Sequence, residues 1–324
     1  MSALLHQLLD AQVQLAPEYL DGATANTDAN PPGGGAYASH RPMALQALAS
    51  LGASDAQLQT FLAQQGPIPL RAPWPALDAA EQRLRLELQQ HGAGTVLARL
   101  LPERLAHAGA VAFHGLIRTA HAWESGHPGE LALALAWWLQ RDQPLPVLRV
   151  NPQRHLADWW AALLALPAPE GMPQDWIAQR MQAWVQTPGF MRIAPQLRLE
   201  ADGLQQLAAL ALRAYADSGN FTVLHLVTAS RALQVLGPFI PPEACDAALR
   251  HFSLHAAAGL LASRWRGSAL ATLPPWNWSA LLAAACASSD DHRIKLVHAA
   301  HHWQQQGLDD TLCRSAATRA LHKA

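Results

Sequence analysis

The sequence predicts an all-α fold, built as one large multi-helical domain over residues 1–324. Ala and Leu dominate the composition and β-branched runs are scarce, which favours helices over strands. Apolar residues recur at spacings of three and four in segment after segment, which is the period of an amphipathic helix. Because half of its 324 residues are hydrophobic, the chain can bury a sizeable core.

Stretches that carry Pro and Gly separate these segments and set the ends of the predicted helices. The second helix begins beside Pro42, because proline fits the first turn of a helix. The last helix follows Ser-Ser-Asp-Asp at 288–291, which supplies an N-cap. In chain order, the predicted helices cover residues 2–16, 41–50, 54–65, 77–90, 93–100, 106–124, 129–141, 154–166, 173–186, 202–217, 220–236, 242–263, 277–287 and 291–306.

The charge pattern excludes polyanionic partners. The formal net charge is −1, with acidic and basic residues interspersed. The chain therefore has no extended positive potential that would attract nucleic acid or an anionic membrane surface. The longest apolar stretches, at 131–138 and 159–169, fall well short of the roughly 18–20 residues of a membrane span. We therefore expect no nucleic-acid partner and no membrane association.

The cysteines indicate a reducing compartment. Cys245, Cys286 and Cys313 are odd in number, far apart and without a C-x-x-C pair, which argues against a disulfide framework and a thiolate metal site. The N-terminal segment lacks the basic start and the apolar run of a signal peptide. We expect a cytoplasmic protein.

Common catalytic motifs are absent from the sequence. The chain has no H-E-x-x-H, no G-x-S-x-G, no P-loop and no G-x-G-x-x-G opening a helix. One E-x-x-H pair occurs at Glu124 and His127, but Gly126 and Pro128 interrupt a helix there, so a ferritin-like di-iron bundle is poorly supported. The histidines are therefore the remaining candidates for catalytic or metal-binding residues.

The predicted helix at 291–306 carries Lys295, one of only two lysines in the chain, the other being Lys323. On a helical wheel, Lys295 shares one face with His292 and with an apolar stripe that includes Trp303. A helix start favours neutral imidazole, and a low dielectric favours neutral amine, and these are the metal-binding forms. A snorkelling lysine beside a satisfied histidine would give the same pattern.

Three histidines in the predicted helix 106–124 stand seven residues apart, at His107, His114 and His121. Residues seven apart lie roughly 10 Å from each other along a helix, so one metal ion could be held by only one or two of them. A polar stripe at a helix interface is the alternative, and for His107 we prefer it.

Two further histidines occupy positions suited to a ligand. His225 is embedded in the apolar segment 220–236, where a buried imidazole needs a partner. His40 ends a loop at the start of a helix, from which it can project into a cavity. A histidine of either kind, taken alone, is more often structural than functional.

Four segments, taken together, resemble the questin oxidase-like family. They are "SHRPMALQALASLGA" (39–53), "AFHGLIRTAHAWESG" (112–126), "LHLVTASRAL" (224–233) and "DDHRIKLVHA" (290–299), and they follow the order of the family's motifs. Departures from the family's pattern include Ser39 in place of Asn, Arg41 in place of Leu, and His121 where a small residue or Tyr is common.

The resemblance implies an oxygenase that opens an anthraquinone-like or other polycyclic aromatic ring by Baeyer–Villiger-like or dioxygenase chemistry. It implies a small aromatic substrate, O₂, a non-haem Fe²⁺ and, as a candidate co-substrate, NADPH. The ligand set carried over from the family comprises four histidines and a lysine carboxylated by CO₂, namely His40, His114, His225, His292 and Lys295, with His121 as the alternative to His114.

Elementary chemistry makes such a set intelligible. Four neutral imidazoles leave Fe²⁺ with its full charge, whereas a lysine carbamate adds one anion and a hard oxygen donor. Carbamate formation needs a neutral amine, so arginine could not replace Lys295. His121, His298 and Thr228 are candidate partners that orient the ligand imidazoles, and Trp303 is a candidate for the wall of an aromatic pocket.

Two other function classes remain open at this point. A metal-binding helical protein of the same fold, with hydrolytic or no catalytic activity, would use the same histidines. A non-catalytic helical scaffold would scatter them, and it predicts that His40, His114, His225 and His292 lie far apart.

Overall fold

The computed structural model describes residues 3–20, 23–24, 37–146, 148–173 and 176–322, and it confirms the all-α fold. Short 3₁₀ turns join several of the helices, for example at Leu105–His107. The α-helices in the described part of the chain are α1 (Ala3–Gln12), α2 (Arg41–Ser50), α3 (Asp55–Ala63), α4 (Pro75–His91), α5 (Ala93–Arg104), α6 (His114–Ser125), α7 (Pro128–Leu139), α8 (Leu156–Leu164), α9 (Ile177–Val185), α10 (Pro188–Ile193), α11 (Gly203–Ser218), α12 (Phe221–Leu236), α13 (Cys245–Ala262), α14 (Trp278–Cys286), α15 (Asp291–Gln305) and α16 (Asp310–Leu321).

A small sheet that the sequence did not predict accompanies the helices. Its strands are β1 (Glu18–Leu20), β2 (Ala23–Thr24) and β3 (Tyr37–Ala38), in the order β2-β1-β3. Both pairings are antiparallel, with Tyr19 opposite Thr24 in one and opposite Tyr37 in the other. The sheet leads the chain directly into α2 through Ser39 and His40.

The buried apolar side chains of the described residues form one connected core. Trp137, Trp138, Trp159, Trp184 and Trp303 are among its largest fully buried members. Such large buried aromatic rings contribute strongly to stability, because each removes a large apolar area from water. Within the described ranges, no helix has both the length and the apolar character that crossing a bilayer requires.

Four helices form a closed ring of neighbours within this core. Helix α2 packs on α6 and α15, and α12 packs on the same two helices from the other side. Three of them begin at or next to a predicted site histidine: His40 is the N-cap residue of α2, His114 is the first residue of α6, and His292 is the second residue of α15. His225 lies in the second turn of α12. The N-terminal halves of these helices therefore supply all four histidines.

The start of α6 differs from the prediction. Residues 108–113 form turns rather than a helix, and three consecutive residues, Val111, Ala112 and Phe113, have φ values of 49°, 53° and 71°. Left-handed backbone is costly for residues other than glycine, and most costly for a β-branched one. The predicted helix 106–124 is therefore wrong over its first eight residues, and His107 does not share a helix face with His114 or His121.

His107 instead lies in the 3₁₀ turn Leu105–His107. Its Nδ1 accepts a hydrogen bond from the Gln143 backbone N–H at 3.1 Å, and it lies 3.5 Å from an Asp142 carboxylate oxygen. The polar structural role preferred for His107 thus fits its contacts, although the helical stripe used to argue it does not exist.

Close packing fixes the first turn of α6 in the core. A Cβ at Gly115 would lie 2.4 Å from Cδ1 of Trp138, so only glycine fits where α6 crosses α7. One turn later, Arg118 makes a bidentate pair with Glu130 of α7, at 2.6 and 3.0 Å, and both side chains are buried. These contacts hold the helix that begins at His114 in one position.

Helix α15 is buried on most of its circumference. On a helical wheel of this segment, Val297 points away from the face shared by His292, Lys295 and Trp303, which predicts that Val297 is exposed. In the structure Val297 is fully buried, as are Ile294 and Ala300. This part of the prediction is wrong because α2, α12, α14 and α16 all pack against α15. Lys295 therefore lies in a helix that is surrounded by protein.

Helices α10 and α16 were not predicted from the sequence, whereas α2 was predicted at both of its ends. Residue 2, at the start of the first predicted helix, and residues 174 and 175, near the start of the predicted helix 173–186, lie outside the described residues. Lys323 also lies outside them.

Candidate metal centre

The structure brings His40, His114, His225 and His292 together into one cluster. The rings of His40 and His114 are stacked, with centroids 4.7 Å apart, and His292 meets His40 edge-on at 4.4 Å. His225 completes the cluster, with ring centroids 4.9 Å from His114 and 5.6 Å from His292. The non-catalytic scaffold interpretation, which predicted that these residues lie far apart, is therefore wrong on that point.

Hydrogen bonds at the Nδ1 atoms fix where the ring protons lie. Nδ1 of His114 is 2.5 Å from the Val111 carbonyl oxygen, and Nδ1 of His225 is 2.9 Å from the Phe221 carbonyl oxygen. A carbonyl oxygen can only accept, so both Nδ1 atoms must carry the hydrogen. In the neutral rings, Nε2 of His114 and Nε2 of His225 then carry no hydrogen, and each has a free lone pair.

The same argument applies to the other two rings, whose Nδ1 atoms contact a carboxylate. Asp291 Oδ1 lies 3.2 Å from His40 Nδ1 and 2.7 Å from His292 Nδ1. An ionised carboxylate also only accepts, so these Nδ1 atoms donate and the Nε2 atoms are bare in the neutral rings. In its neutral form, each of the four histidines thus presents an unprotonated Nε2.

Two of these lone pairs face each other. Nε2 of His40 lies 2.7 Å from Nε2 of His114, a contact that is repulsive unless a cation or a proton is shared between them. Nε2 of His292 is buried and has no hydrogen-bond partner among the described residues. Buried polar atoms without partners are costly, so this arrangement needs an electrophile at the Nε2 atoms.

A proton is a poor candidate for that electrophile. Burial, together with the nearby charge of Lys295, lowers the pKa of His40 to about 3. Burial and the neighbouring His40 likewise hold the pKa of His114 well below its ordinary value, and burial and His292 do the same for His225. These rings are therefore neutral near pH 7, and neutral imidazole nitrogens are ligands for divalent transition metals.

Lys295 lies one helical turn after His292 and is only 3% exposed. Burial lowers its pKa to about 8, against the opposing effect of Asp291 and Asp290. At pH 7.5, roughly a quarter of an amine with that pKa is neutral. Its charge also contributes to the lowered pKa values of His40, His114 and His225, which places the ammonium group within electrostatic reach of the cluster.

Asp291 is a site residue that the sequence analysis missed, because Asp290 and Asp291 were interpreted only as a helix cap. Asp290 is the cap, with its side chain accepting from the backbone N–H groups of His292 and Arg293. Asp291 instead holds two imidazoles through one oxygen. Burial alone would raise its pKa, but His40, Lys295 and hydrogen bonds from both imidazoles hold that pKa well below its ordinary value.

The carboxylate contacts explain the role of Asp291. Potential ligand atoms of His40, Asp291 and His292 lie within 4.8 Å of one another. Because the carboxylate oxygen contacts the Nδ1 side of both rings, it orients His40 and His292 while their Nε2 atoms remain available. Carboxylates in this position raise the basicity of ligand imidazoles.

Replacing Asp291 by Asn should weaken metal binding about 10- to 100-fold, the range typical of partners that orient ligand histidines. The amide keeps the shape of the side chain but removes the negative charge. Affinity would be measured by competition with a chromophoric chelator.

Asp290→Asn is the matched control, since Asn caps a helix as well as Asp does. It should leave the metal affinity nearly unchanged, because the Asp290 side chain contacts backbone N–H groups and Arg293 rather than an imidazole. Equal affinity in the wild type and the Asp291→Asn variant would contradict the orienting role.

His121 lies in a second cluster, on the α6 face that meets α2 and α15. Its Nδ1 is 2.5 Å from Gln46 Oε1, and its ring lies 5.5 Å from that of His298. His298 in turn accepts from Arg231 at 3.3 Å, and Arg231 pairs with Glu124 at 2.5 Å. Since His114, not His121, contacts His40 and His225, the geometry favours His114 in the set.

The predicted orienting roles of Thr228 and His298 are not supported by their contacts. Thr228 donates to carbonyl oxygens of its own helix, those of Leu224 and His225, at 3.3 Å each. His298 contacts Arg231 and His121 rather than any of the four clustered rings. The groups that orient the cluster are backbone carbonyls and Asp291. No pattern in the sequence reveals the carbonyl partners, because they depend on backbone geometry.

A cleft of about 370 Å³ reaches the cluster at His292. Its apolar lining includes Phe221, a residue that is 54% exposed and whose ring centroid lies 4.6 Å from that of His292 and 5.0 Å from that of His225. Leu224 and Leu270 extend the apolar lining. Trp303, which was predicted as a wall of an aromatic pocket, is fully buried and does not line this cleft. Phe221 occupies the position expected of such an aromatic wall.

Comparison with protein-family models and with curated proteins finds no match for this chain.

Proposed function

We propose that this protein is a non-haem iron oxygenase of the questin oxidase-like type, acting on a polycyclic aromatic substrate with O₂. The observation that carries the proposal is the convergence of four imidazoles whose Nδ1 atoms are held by oxygen acceptors, with two of the Nε2 atoms facing each other at 2.7 Å. The four segments that resemble the family contain these histidines and Lys295 in the family's order.

The donor set suits a divalent transition metal. Imidazole nitrogens bind Fe²⁺ and Zn²⁺ alike, whereas Ca²⁺ and Mg²⁺ prefer oxygen ligands. His40, His114, His225 and His292 would hold the ion, with Asp291 supplying a nearby negative charge. Iron, when bound there, supplies the redox chemistry that O₂ activation requires.

Lys295 would complete the site as a carbamate. The ammonium group first loses one proton to solvent. The neutral amine nitrogen then forms a bond to the carbon of CO₂ as one C=O π bond opens, and a second proton leaves to solvent, so that the side chain changes from cationic to anionic. This change favours cation binding, because an ammonium group within reach of the histidines would oppose it. The buried position of Lys295 favours the neutral amine on which the step depends.

The cleft at His292 would bind the substrate. Phe221 offers a flat, half-exposed ring beside two of the clustered imidazoles, and offset or edge-on stacking against it would hold a planar substrate. Burial of the clustered rings behind Phe221 keeps bulk water away from the Nε2 atoms. The protein thereby positions the aromatic ring next to the metal-binding nitrogens.

Metal analysis with a turnover assay tests this proposal. Protein purified with ferrous iron under anaerobic conditions should contain one metal ion per chain. His225→Gln should lower the metal affinity at least about 100-fold, since it removes a direct ligand. His155→Gln, at an exposed imidazole away from the cluster, should leave the affinity unchanged.

The iron-loaded protein should then consume O₂ in the presence of an anthraquinone, measured with and without NADPH. Hydrolysis of ester substrates by a zinc-loaded protein, without O₂ consumption by the iron form, would support the hydrolytic alternative. Equal metal content in the wild type and the His225→Gln variant would contradict a histidine-held metal.

A further inference from the structure

The cleft that reaches His292 carries positive charge as well as apolar surface. Arg293 and Arg319 both line it, together with Tyr215 and one acidic side chain, Asp290. Arg293 is paired with Asp290, Nε to Oδ2 at 3.1 Å. Once that pair is formed, the guanidinium of Arg319 is the remaining full charge in the cleft lining.

Arg319 is held in place without an acidic partner. Its Nε donates to the Ala216 carbonyl oxygen at 2.8 Å, and its Nη2 donates to the Ala271 carbonyl oxygen at 2.5 Å. No Asp or Glu side chain in the described ranges lies within ion-pairing distance of it. Two of its five N–H donors are thus used to fix the guanidinium, and the others are available to a ligand.

The apolar part of the cleft lies beside this cation. Phe221 and Leu270 are each 54% exposed, and they are two of the most exposed large apolar side chains in the described chain. A volume of about 370 Å³ falls within the range of about 300–1,000 Å³ seen for small-molecule sites. The cleft therefore combines an aromatic wall, an aliphatic wall and a fixed guanidinium.

We infer that the substrate of this site is a planar aromatic compound bearing an anionic substituent, a carboxylate by preference, which Arg319 binds while the ring stacks on Phe221. This inference rests on the proposed function for the chemistry at the histidines, and it adds the class of substrate. Guanidinium and carboxylate groups match each other in shape and charge, and the pair is stronger than a hydrogen bond between neutral groups.

A neutral polycyclic substrate would leave the Arg319 donors without an ionic partner. It would use only the apolar walls of the cleft. The distinction is measurable because an acid and its primary amide have nearly the same shape and differ in charge.

The test measures binding of 2-naphthoate and of 2-naphthamide to the full-length protein after metal removal with a chelator. Calorimetry at pH 7.5 should show at least about tenfold tighter binding of the acid. Arg319→Gln should reduce that preference to near unity. Arg314→Gln removes a charge from the same helix, outside the cleft lining, and should retain the preference.

Two further measurements tie the preference to this cleft. Phe221→Ala should weaken both ligands by similar factors. In wild-type protein, raising ionic strength from 0.05 to 0.5 M should weaken the acid and leave the amide nearly unchanged, because salt screens only the charged ligand. If Arg319→Gln does not fold, this salt dependence of the wild-type protein tests whether the cleft prefers the charged ligand.

Equal affinities of acid and amide, a preference that survives in Arg319→Gln, or no binding of either ligand would overturn the inference. Because the protein in this experiment holds no metal, these outcomes do not depend on the iron proposal. Conversely, wild-type protein that binds 2-naphthoate as expected but takes up no iron would refute the proposed function and leave the carboxylate-binding cleft in place.

Discussion

Replacing Lys295 by Arg should abolish metal loading while leaving the helical fold intact. Lysine at this position can lose its proton, since burial lowers its pKa to about 8. Arginine cannot, so the variant keeps a permanent positive charge within reach of His40, His114 and His225, where it opposes a divalent cation. The guanidinium also cannot form a carbamate. Elemental analysis would measure metal content, and far-ultraviolet circular dichroism would measure helicity.

Lys295→Met is the matched variant that separates charge from ligation. It is neutral, similar in length and tolerated in buried positions. If Lys295 acts as a carbamate ligand, the Met variant should bind metal more weakly than the wild type but more tightly than the Arg variant. Added bicarbonate should strengthen metal binding by the wild type and leave the Met variant unchanged. Full metal content in Lys295→Arg would refute the ligand role.

Metal-free protein should lose stability steeply as the pH falls below about 6.5, the ordinary pKa of histidine. Burial depresses the folded-state pKa of several histidines, so at mildly acidic pH the unfolded chain binds protons that the folded chain does not. Their contribution to stability is present above pH 6.5 and is lost as pH falls toward the folded-state values, about 3 for His40 and about 4 for His255. Among the histidines whose pKa values burial lowers are His40, His114, His121, His225, His255 and His298.

The loss of stability at acidic pH is large because the contributions of the individual histidines add. Each such histidine costs roughly 1.4 kcal/mol of unfolding free energy per pH unit, so six together cost on the order of 8 kcal/mol per unit. Typical domains have a total stability of about 5–15 kcal/mol. The metal-free protein is therefore expected to unfold within about two pH units below 6.5. Urea midpoints measured between pH 7.5 and 5 would give the slope.

Single substitutions give the control for the acid effect. His255→Gln, outside the cluster of His40, His114, His225 and His292, should reduce the slope by roughly 1.4 kcal/mol per pH unit. A stability that is constant from pH 7.5 to 5 would contradict neutral, buried imidazoles.

The fold was largely predictable because most helices are marked by strong local patterns. Helix α2 follows from a proline in its first turn and from apolar spacing, and α15 follows from the capping sequence before it. The start of α6 was not predictable, since Val111, Ala112 and Phe113 are ordinary residues held in left-handed backbone by the packing around them. Phe113 lies against Gly259, where a Cβ would come within 3.0 Å of its ring.

The histidines of the site could be predicted from the sequence, but their hydrogen-bond partners could not. Spacing alone left each histidine with a structural alternative, and the resemblance selected four of the 16 histidines that the structure then places together. The partners of those rings could not be found in the same way. The carbonyl oxygens of Val111 and Phe221 approach Nδ1 only because of local backbone geometry. Asp291 could have been noticed as an acidic residue directly before a proposed ligand.

The most direct test of the central claim is anomalous diffraction from crystals of the iron-loaded protein, with data collected above and below the iron absorption edge. We expect one anomalous peak, at bonding distance of about 2.1 Å from Nε2 of His40, His114, His225 and His292. An absence of anomalous density among these four imidazoles, in crystals whose protein contains iron by elemental analysis, would contradict the metal centre.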